Sequence, residues 1–160
     1  MDICLCRRTP DTVKTYFERA STPEIRKFLP QKAKSLEEAL CDYEKTLLPG
    51  ASSYGKTIYA NGKYIGDIWC YCIDKNDVPN AMISYCIFDE KFRSKGAATK
   101  ALRLFLDEIR KEFGFTSVGA FTFAENTASI KVLEKNGFAF TEEFEESGIL
   151  SKYYEYSFSR

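Results

Sequence analysis

The feature that most constrains the fold is a stretch near the middle of the chain, where an apolar run ends in a basic turn that contains one glycine. The stretch reads IFDEKFRSKGAATKAL and covers residues 87–102. Beyond the glycine, apolar residues recur at the spacing of one helix face, and charged residues fill the other face. A strand that leads into such a helix predicts a strand–helix–strand unit, which requires a parallel neighbour in the sheet.

The rest of the chain predicts helices before this unit and strands on both sides of it. Helix-start signals lie at Thr9-Pro10, Thr22-Pro23, and Ser35 with Glu38. Asn61-Gly62 between two β-rich runs predicts a hairpin, residues 81–88 a further strand, and the segments around Ser147-Gly148 a final antiparallel pair. This order predicts an α+β fold with a mixed, mostly antiparallel central sheet flanked by helices. With no repeat or long linker, we expect a single domain over residues 1–160.

The composition restricts the classes of function. Lysine plus arginine and aspartate plus glutamate both number 23, so the net charge is zero and we expect no nucleic-acid partner. No apolar run approaches the ~18 residues of a membrane span. The N-terminal stretch MDICLCRRTP lacks a signal-peptide apolar core, so we expect a cytoplasmic protein with no membrane partner. The chain has no histidine, which excludes Ser-His and Cys-His nucleophilic pairs.

Six cysteines include two C-x-C pairs, Cys4 with Cys6 and Cys70 with Cys72. Zinc sites usually have a C-x₂₋₄-C spacing and redox motifs C-x-x-C, whereas residues two apart on a strand simply share a face. We therefore expect buried, reduced thiols and no metal site. A thiol-based redox or metal protein is the alternative, which metal analysis or a mass shift on reduction would support.

The glycine turn has the properties of an anion site. The first N–H groups of a helix have no partners within the helix, and with the helix dipole they attract anions. A glycine lets a ligand approach the backbone, while neighbouring alanines, hydroxyls and positive charges favour a phosphate. The residues concerned are Arg93, Ser94, Lys95, Gly96, Ala97, Ala98 and Thr99. The alternative is an ordinary strand–helix turn with solvated charges, since the Walker and G-x-G-x-x-G patterns are both absent.

A second polar helix start follows the next strand, in the stretch ENTASIKVLEKNGF, residues 125–138. Asn126 stands where its side chain could contact a ligand or cap the helix. Ser129 lies one turn further on the same face. Both residues are therefore candidates for ligand binding, with plain helix capping as the alternative for Asn126.

Together these motifs resemble those of the GNAT acyltransferases. Residues 93–98 resemble the (Q/R)-x-x-G-x-(G/A) signature of that superfamily, and residues 126–138 its second helix motif, N-x-x-S…K-x-G-F. The early hairpin with Ile65-Gly66 is also similar, and STPEIRKFLP resembles the N-terminal segment of the branch related to ribosomal-protein N-terminal acetyltransferases. The resemblance spans nearly the whole chain, and the order and spacing of the motifs make it specific.

The resemblance implies an N-acetyltransferase that uses acetyl-CoA as co-substrate. The pyrophosphate would lie on backbone N–H groups from Ser94 to Thr99, beside a fourth strand that bulges and splays from the fifth. The pantetheine arm would pair with backbone near Ile87 and Phe88, where a main-chain N–H would polarise the thioester carbonyl. Contacts to the pantetheine or phosphates would come from Asn126 and Ser129, with Lys131 and Lys100 as weaker candidates for the outer phosphate.

Two positions depart from the family pattern and leave the proton-transfer residues open. Leu133 stands where many relatives carry a tyrosine as general acid, and Met82 where many carry a glutamate. Neither side chain can exchange a proton. The remaining catalytic candidates are Tyr85, Ser84 and Asp67, which could act on the sulfur or through a water.

The resemblance implies that the acceptor is an amine-bearing small molecule or a peptide N-terminus. The stretches CDYEK, DIWCYCID and YYEYS offer acidic and aromatic residues that suit a cationic amine. A protein N-terminus, an aminoglycoside, a polyamine and an amino acid all fit, and core packing is the alternative for the aromatic residues. A coenzyme-binding regulatory module with little turnover is the alternative function, and exposed edge strands could support a homodimer.

Overall fold

The structure, a computed structural model, describes residues 1–158. This part of the chain contains seven strands and five α-helices. The strands are β1 (Ile3–Arg7), β2 (Tyr54–Ala60), β3 (Lys63–Tyr71), β4 (Met82–Ile87), β5 (Ser117–Phe123), β6 (Ala139–Glu146) and β7 (Ile149–Ser157). The helices are α1 (Pro10–Arg19), α2 (Pro23–Phe28), α3 (Leu36–Lys45), α4 (Ala97–Phe113) and α5 (Thr127–Lys135). A short 3₁₀ turn, Glu90–Phe92, precedes α4.

All seven strands belong to one sheet, in the order β1-β2-β3-β4-β5-β7-β6. The pair β4–β5 is parallel and the other neighbours are antiparallel. The parallel pair arises from the strand–helix–strand unit, since α4 must cross over to bring β5 beside β4. The predicted α+β class with a mixed, mostly antiparallel sheet is confirmed.

Backbone conformation explains where two elements begin and end. Asn61 and Gly62 both have positive φ values, 51° and 82°, as a two-residue hairpin turn between β2 and β3 requires. The run that follows was predicted to be β-rich as far as Asp74, but β3 ends at Tyr71. Cys72 adopts φ 54°, which an extended strand cannot accommodate.

Helix α4 holds one face of the sheet in place. Its buried stripe includes Ala101, Leu102, Phe105 and Ile109, which pack into the main core with the inner residues of the sheet. Burying each large apolar side chain contributes roughly 1.5–3 kcal/mol. The stripe therefore fixes α4 on the sheet, and with it the position of the glycine turn at its start.

A second, smaller core lies on the opposite face of the sheet. Ala20 and Ile25 pack there against Cys86 and Phe88, with Tyr64 at the margin. Because successive residues of a strand point to opposite faces, β4 presents Cys86 and Phe88 to this core. The sheet is thus covered by α4 and α5 on one face and by the N-terminal helices on the other.

Strands β4 and β5 separate after a single paired position, Met82 with Gly119. Just before it, the Gly119 amide donates to the Ala81 carbonyl oxygen (3.0 Å). Beyond Met82 no further residue pair joins the two strands in the described chain. The expected separation of the fourth and fifth strands is therefore present.

The expected bulge lies at the end of β4 and not within it. Its pairing with β3 is regular from Tyr71–Met82 to Gly66–Ile87. The irregularity comes one step later, where the amides of both Phe88 and Asp89 donate to the Ile65 carbonyl oxygen (2.9 and 3.3 Å). Gly66 permits this close approach, because a Cβ there would collide with the β4 backbone.

The cysteines differ from the expectation of buried thiols. All six are free, but only Cys70 and Cys86 are buried. Cys4 and Cys6 are exposed because they lie on the face of β1 opposite to Ile3 and Leu5, which pack against the main core. The described residues contain no group of three or more His, Cys, Asp or Glu residues that could hold a metal ion. No helix in residues 1–158 is long and apolar enough to cross a membrane.

Candidate active site

The gap between β4 and β5 opens into a cavity of about 830 Å³. Its walls come from four elements: residues 83–87 of β4, residues 120–122 of β5, one face of α5, and α2 from the opposite side of the sheet. Residues 92–94 and 96–99, from the glycine turn and the start of α4, line it as well. A cavity of this size, open to solvent and bounded by unpaired strand backbone, can hold an extended ligand.

The start of α4 differs from the starts of the other helices. The helices α1, α2, α3 and α5 each begin at a residue whose side chain accepts a backbone hydrogen bond: Thr9, Thr22, Ser35 and Asn126. Helix α4 begins at Gly96, which has φ 87° and no side chain to cap the helix.

The amides at the start of α4 are therefore open. Within residues 1–158, no acceptor is present for the amides of Ala97, Ala98 and Thr99. A Cβ built on Gly96 meets no atom within 4 Å, so the space in front of these amides is free. Open amides beside a cavity fit the phosphates of a nucleotide coenzyme.

The exposed backbone of β4 offers a second set of donors and acceptors to the cavity. The Phe88 amide is engaged by Ile65, and hydrogen bonds alternate along an antiparallel pair. The amides of Tyr85 and Ile87 therefore face the gap, whereas that of Phe88 does not. Phe88 itself lies outside the cavity wall, buried in the smaller core, so of the two expected backbone partners Ile87 is the one in position.

Arg93 lines the cavity, but its guanidinium is already engaged. Nε donates to the Ile87 carbonyl oxygen (3.0 Å), and Nη2 to the Phe88 carbonyl oxygen (3.3 Å). Nη1 forms an ion pair with Glu24 of α2 (2.8 Å). Arg93 thus joins the end of β4 to α2. This contact spans 69 positions of sequence, which is why the local basic pattern did not predict it.

The other residues predicted to bind the coenzyme divide into two groups. Lys95 lies outside the cavity wall, and so does Lys100, whose Nζ donates to the Met1 carbonyl oxygen (3.1 Å). The others lie in the wall: Ser94, Gly96, Ala97, Ala98, Thr99, Asn126, Ser129 and Lys131. Their roles in binding stay predictions.

The start of α5 is closed by its own side chains. The Asn126 Oδ1 accepts a hydrogen bond from the Ser129 amide (3.2 Å), so Asn126 caps the helix. The Ser129 hydroxyl lies 2.9 Å from the Tyr85 hydroxyl, which also donates to the Ser129 carbonyl oxygen (3.3 Å). Burial raises the pKa of Tyr85 to about 12, so its phenol is protonated near neutral pH and acts as a donor.

Among the other catalytic candidates, Ser84 lines the cavity and Asp67 does not. Asp67 is buried on the face of β3 that packs under α1. Its Oδ1 accepts a hydrogen bond from the Tyr64 hydroxyl (2.6 Å), and its Oδ2 lies 3.4 Å from Arg8 Nε. Burial raises the pKa of Asp67 to about 6, although Arg8 and Tyr64 oppose the shift. Asp67 therefore ties β3 to the chain before α1, away from the cavity.

Leu133 and Met82, the two departures from the family pattern, are apolar and buried. Cys86 is among the residues that line the cavity, and burial raises the pKa of its thiol to about 11. This thiol stays protonated at neutral pH and is a poor nucleophile. The remaining cavity hydroxyls on β4 are those of Ser84 and Tyr85.

The acceptor side of the cavity differs from the sequence prediction. Within residues 1–158, none of the residues of CDYEK, DIWCYCID or YYEYS lies in the cavity wall. This part of the wall is formed instead by Ile25 and Phe28 of α2, by Leu29 directly after that helix, and by Phe121 of β5. The i, i+3, i+4 spacing of Ile25, Phe28 and Leu29 is the signal that could have identified this apolar face.

Comparison with known proteins agrees with this architecture. Residues 2–139 match a family described as an acetyltransferase (GNAT) domain. The aminoglycoside acetyltransferase AAC(6')-Ib in complex with coenzyme A is 17% identical, with a TM-score of 0.80 over 98% of this chain and 95% of that chain.

Two further solved structures have the same fold. RimL, a ribosomal L7/L12 α-N-protein acetyltransferase in complex with coenzyme A, is 18% identical, with a TM-score of 0.81 over 97% of this chain and 93% of that chain. A domain from Methanocaldococcus jannaschii is 20% identical, with a TM-score of 0.78 over 98% and 99% of the two chains. No curated protein matches the chain by sequence.

The sheet with its splayed parallel pair, and the uncapped helix start beside it, give the chain the acyl-CoA N-acyltransferase fold. Within that fold class, the chain belongs to the GNAT acetyltransferase family. It is an acetyl-CoA-dependent N-acetyltransferase, and the predictions of family, co-substrate and activity are confirmed.

Proposed function

We propose that the protein transfers an acetyl group directly from acetyl-CoA to a cationic primary amine, with both substrates in the cavity between β4 and β5. The observation that carries the proposal is the single paired position between these strands, Met82 with Gly119. It leaves the β4 backbone free to bind an extended ligand along the same cavity that reaches the open amides of α4.

In this arrangement the diphosphate of the coenzyme lies on the amides at the start of α4, from Gly96 to Thr99. The pantetheine arm pairs with β4, where the Ile87 and Tyr85 amides face the gap. Donors held in place by the sheet stabilise charge that develops on a carbonyl oxygen without rearrangement. The fixed backbone therefore serves both to orient the thioester and to polarise it.

Tyr85 is the best-supported proton donor to the leaving sulfur. Its hydroxyl lies against the first turn of α5, beside Ser129, and its raised pKa keeps the proton available. Leu133, at the usual acid position, lies one helical turn further along α5. Tyr85 of β4 would thus donate its proton in the region where many relatives use a tyrosine of the second helix.

The amine loses its proton without a buried carboxylate base. Asp67 is held by Tyr64 and Arg8 outside the cavity wall. Ser84 lines the cavity on the same strand as Tyr85 and can hold a water that carries the proton to solvent. The rate should then follow the neutral fraction of the amine.

The acceptor side favours a cationic amine. Phe121 is 52% exposed and packs against Tyr153 and Phe144, with ring centroids 4.9 and 5.7 Å apart. Glu142 stands opposite Tyr153 in the β6–β7 register. Aromatic faces beside a carboxylate attract an ammonium group. An aminoglycoside, a polyamine, an amino acid or a protein N-terminus all present one.

A thiol-release assay tests the proposal. Acetyl-CoA is mixed with the protein and with kanamycin, spermidine, lysine or a peptide with a free N-terminal serine, and free coenzyme A thiol is measured. Amine-dependent release, with acetylated amine found by mass spectrometry, supports the proposal. Coenzyme binding without release for any amine would instead fit the regulatory module, and absence of coenzyme binding would exclude both.

A cytoplasmic location, a homodimer and a single domain over residues 1–160 stay predictions.

The edge strand β6 carries glutamates at four of its eight positions. Charged edge strands resist pairing with another sheet. If a dimer forms, we propose that it uses a surface other than the β6 edge. Size-exclusion chromatography with light scattering of a β6 variant with neutralised charges would test this proposal.

A further inference from the structure

The basic turn places no free cationic side chain in the cavity wall. The Arg93 guanidinium is held by two carbonyl oxygens and by Glu24. Lys95 is exposed but lies outside the wall. Lys100 donates to the Met1 carbonyl oxygen on another part of the surface. Any positive charge in the wall beside the α4 amides must therefore come from another segment.

Three lysines do lie in the wall: Lys27, Lys131 and Lys135. Lys27 belongs to α2, and its Nζ lies 5.1 Å from the centre of the Phe28 ring on the acceptor side. Lys131 and Lys135 are both on α5, four residues apart, and therefore on one face of the helix. They are the lysines on the coenzyme side of the described cavity.

The position of these two lysines relative to the start of α4 is fixed. The Asn136 side chain, next to Lys135, donates to the Thr99 carbonyl oxygen (3.1 Å). It also donates to the Val132 carbonyl oxygen (3.0 Å), one residue after Lys131. The last turn of α5 is thereby bonded to the first turn of α4, and both turns face the same cavity.

We propose that Lys131 and Lys135 supply the positive charge that the phosphates of the coenzyme meet, in place of the basic turn. This inference rests on the proposed function, because it takes the coenzyme to lie in this cavity. The α4 amides donate hydrogen bonds to the diphosphate, and the lysines face the remaining dianionic phosphate monoester, the 3′-phosphate. Two flexible ammonium groups suit such a point-like charge.

Isothermal titration calorimetry at low salt, with coenzyme A and with 3′-dephospho-coenzyme A, tests the assignment. The variants are Lys131→Gln, Lys135→Gln and the double variant, with Lys95→Gln as the matched control for loss of one charge near the turn. We expect each single variant to weaken coenzyme A binding about 3-fold and the double variant about 10-fold, as for exposed ion pairs. The loss should shrink in high salt, and Lys95→Gln should stay within 2-fold.

The two ligands separate the sources of the phosphate charge. If the double variant weakens coenzyme A but not the dephospho form, the lysines face the 3′-phosphate; if both ligands are weakened equally, they face the diphosphate. Unchanged coenzyme A affinity in the double variant, or a larger loss in Lys95→Gln, would overturn the assignment. Absence of coenzyme A binding by the unmodified protein would instead refute the proposed function.

Discussion

Helices α4 and α5 both follow a strand and both line the cavity, yet they begin in opposite ways. Helix α4 begins at Gly96 with open amides. Helix α5 begins at Asn126, whose side chain accepts a hydrogen bond from the Ser129 amide. The sequence suggested a ligand at both starts. The difference supports the proposal that the start of α4 binds the anionic coenzyme, whereas the start of α5 is already capped by Asn126.

The two helices nevertheless form one unit around the cavity. Asn136 bonds the end of α5 to Thr99 in the first turn of α4. Tyr85 of β4 reaches Ser129 in the first turn of α5. A ligand bound at the open start of α4 therefore lies between two elements whose spacing is set by hydrogen bonds rather than by the ligand.

Adding a negative charge at the open start should have the largest effect. Gly96→Asp places a carboxylate where the diphosphate is expected, and like charges about 4 Å apart repel by roughly 4 kcal/mol at a protein surface. We expect Gly96→Asp to bind coenzyme A about 100-fold more weakly than Gly96→Asn in calorimetry. Asparagine is the matched control, since both residues tolerate the left-handed conformation at this position.

If both variants are folded by circular dichroism and bind coenzyme A as tightly as the unmodified protein, an anion site at this helix start is contradicted. Equal weakening of both variants would indicate that bulk, rather than charge, decides access. Only a difference between the two variants supports the assignment of the α4 amides.

Removing the Tyr85 hydroxyl should slow thiol release about 30-fold, less than the ~10²-fold typical of a general acid, because water in the cavity can replace it in part. Coenzyme affinity in Tyr85→Phe should change less than 3-fold. Ser129→Ala, which removes only the neighbouring hydroxyl, is the control and should lose much less activity.

The pH profile gives an independent test of Tyr85. With a pKa near 12, Tyr85 stays protonated across the accessible range. The rate should therefore rise with pH as the amine becomes neutral, with no decline below about pH 10. A decline beginning near pH 8 would show that another group donates the proton.

The closed start of α5 leads to a stability prediction. Asn126→Ala should lower the free energy of unfolding by about 1 kcal/mol through loss of the cap, with little change in coenzyme affinity. Urea unfolding and calorimetry measure the two quantities. Asn126→Asp, which keeps the cap, should restore stability. Unchanged stability with weaker coenzyme binding would give Asn126 the ligand role that the resemblance implies.

The smallest effect concerns the link from the glycine turn to α2. Glu24→Gln should weaken the ion pair with Arg93 and speed hydrogen exchange of the α2 amides up to about 5-fold, as for an exposed pair. Glu37→Gln is the control, because Glu37 occupies the same position in the first turn of α3. Equal effects of the two variants on their own helices would mean that the helix dipole, not Arg93, is responsible.

The sequence was sufficient for features that depend on neighbouring residues. The hairpin at Asn61-Gly62, the capped helix starts and the glycine turn follow from local conformation, and together with the motif order they predict the sheet. Features set by distant residues were not accessible. The contacts of Arg93 with Glu24 depend on how α2 docks, and the double use of the Ile65 carbonyl depends on how β4 leaves the sheet.

The candidate site shows the same division. The resemblance grouped the glycine turn with the start of α5, and residues of both line one cavity, while their roles in binding stay predictions. Phe28 and Phe121 were missed, since an apolar residue in a short helix or a strand resembles ordinary core until the fold leaves it uncovered. Asp67 was chosen for its charge, but its partner Arg8 comes from the other end of the N-terminal half.

The single paired position between β4 and β5 divides the sheet into a four-stranded and a three-stranded part. A molecule that pairs with β4 forms the backbone hydrogen bonds that β5 does not form. Occupancy and folding are then coupled: by linkage, a ligand that binds only the native state stabilises the protein by about 2.7 kcal/mol at 100 times its Kd. The melting temperature should therefore rise with coenzyme concentration and report how far the gap between β4 and β5 is occupied.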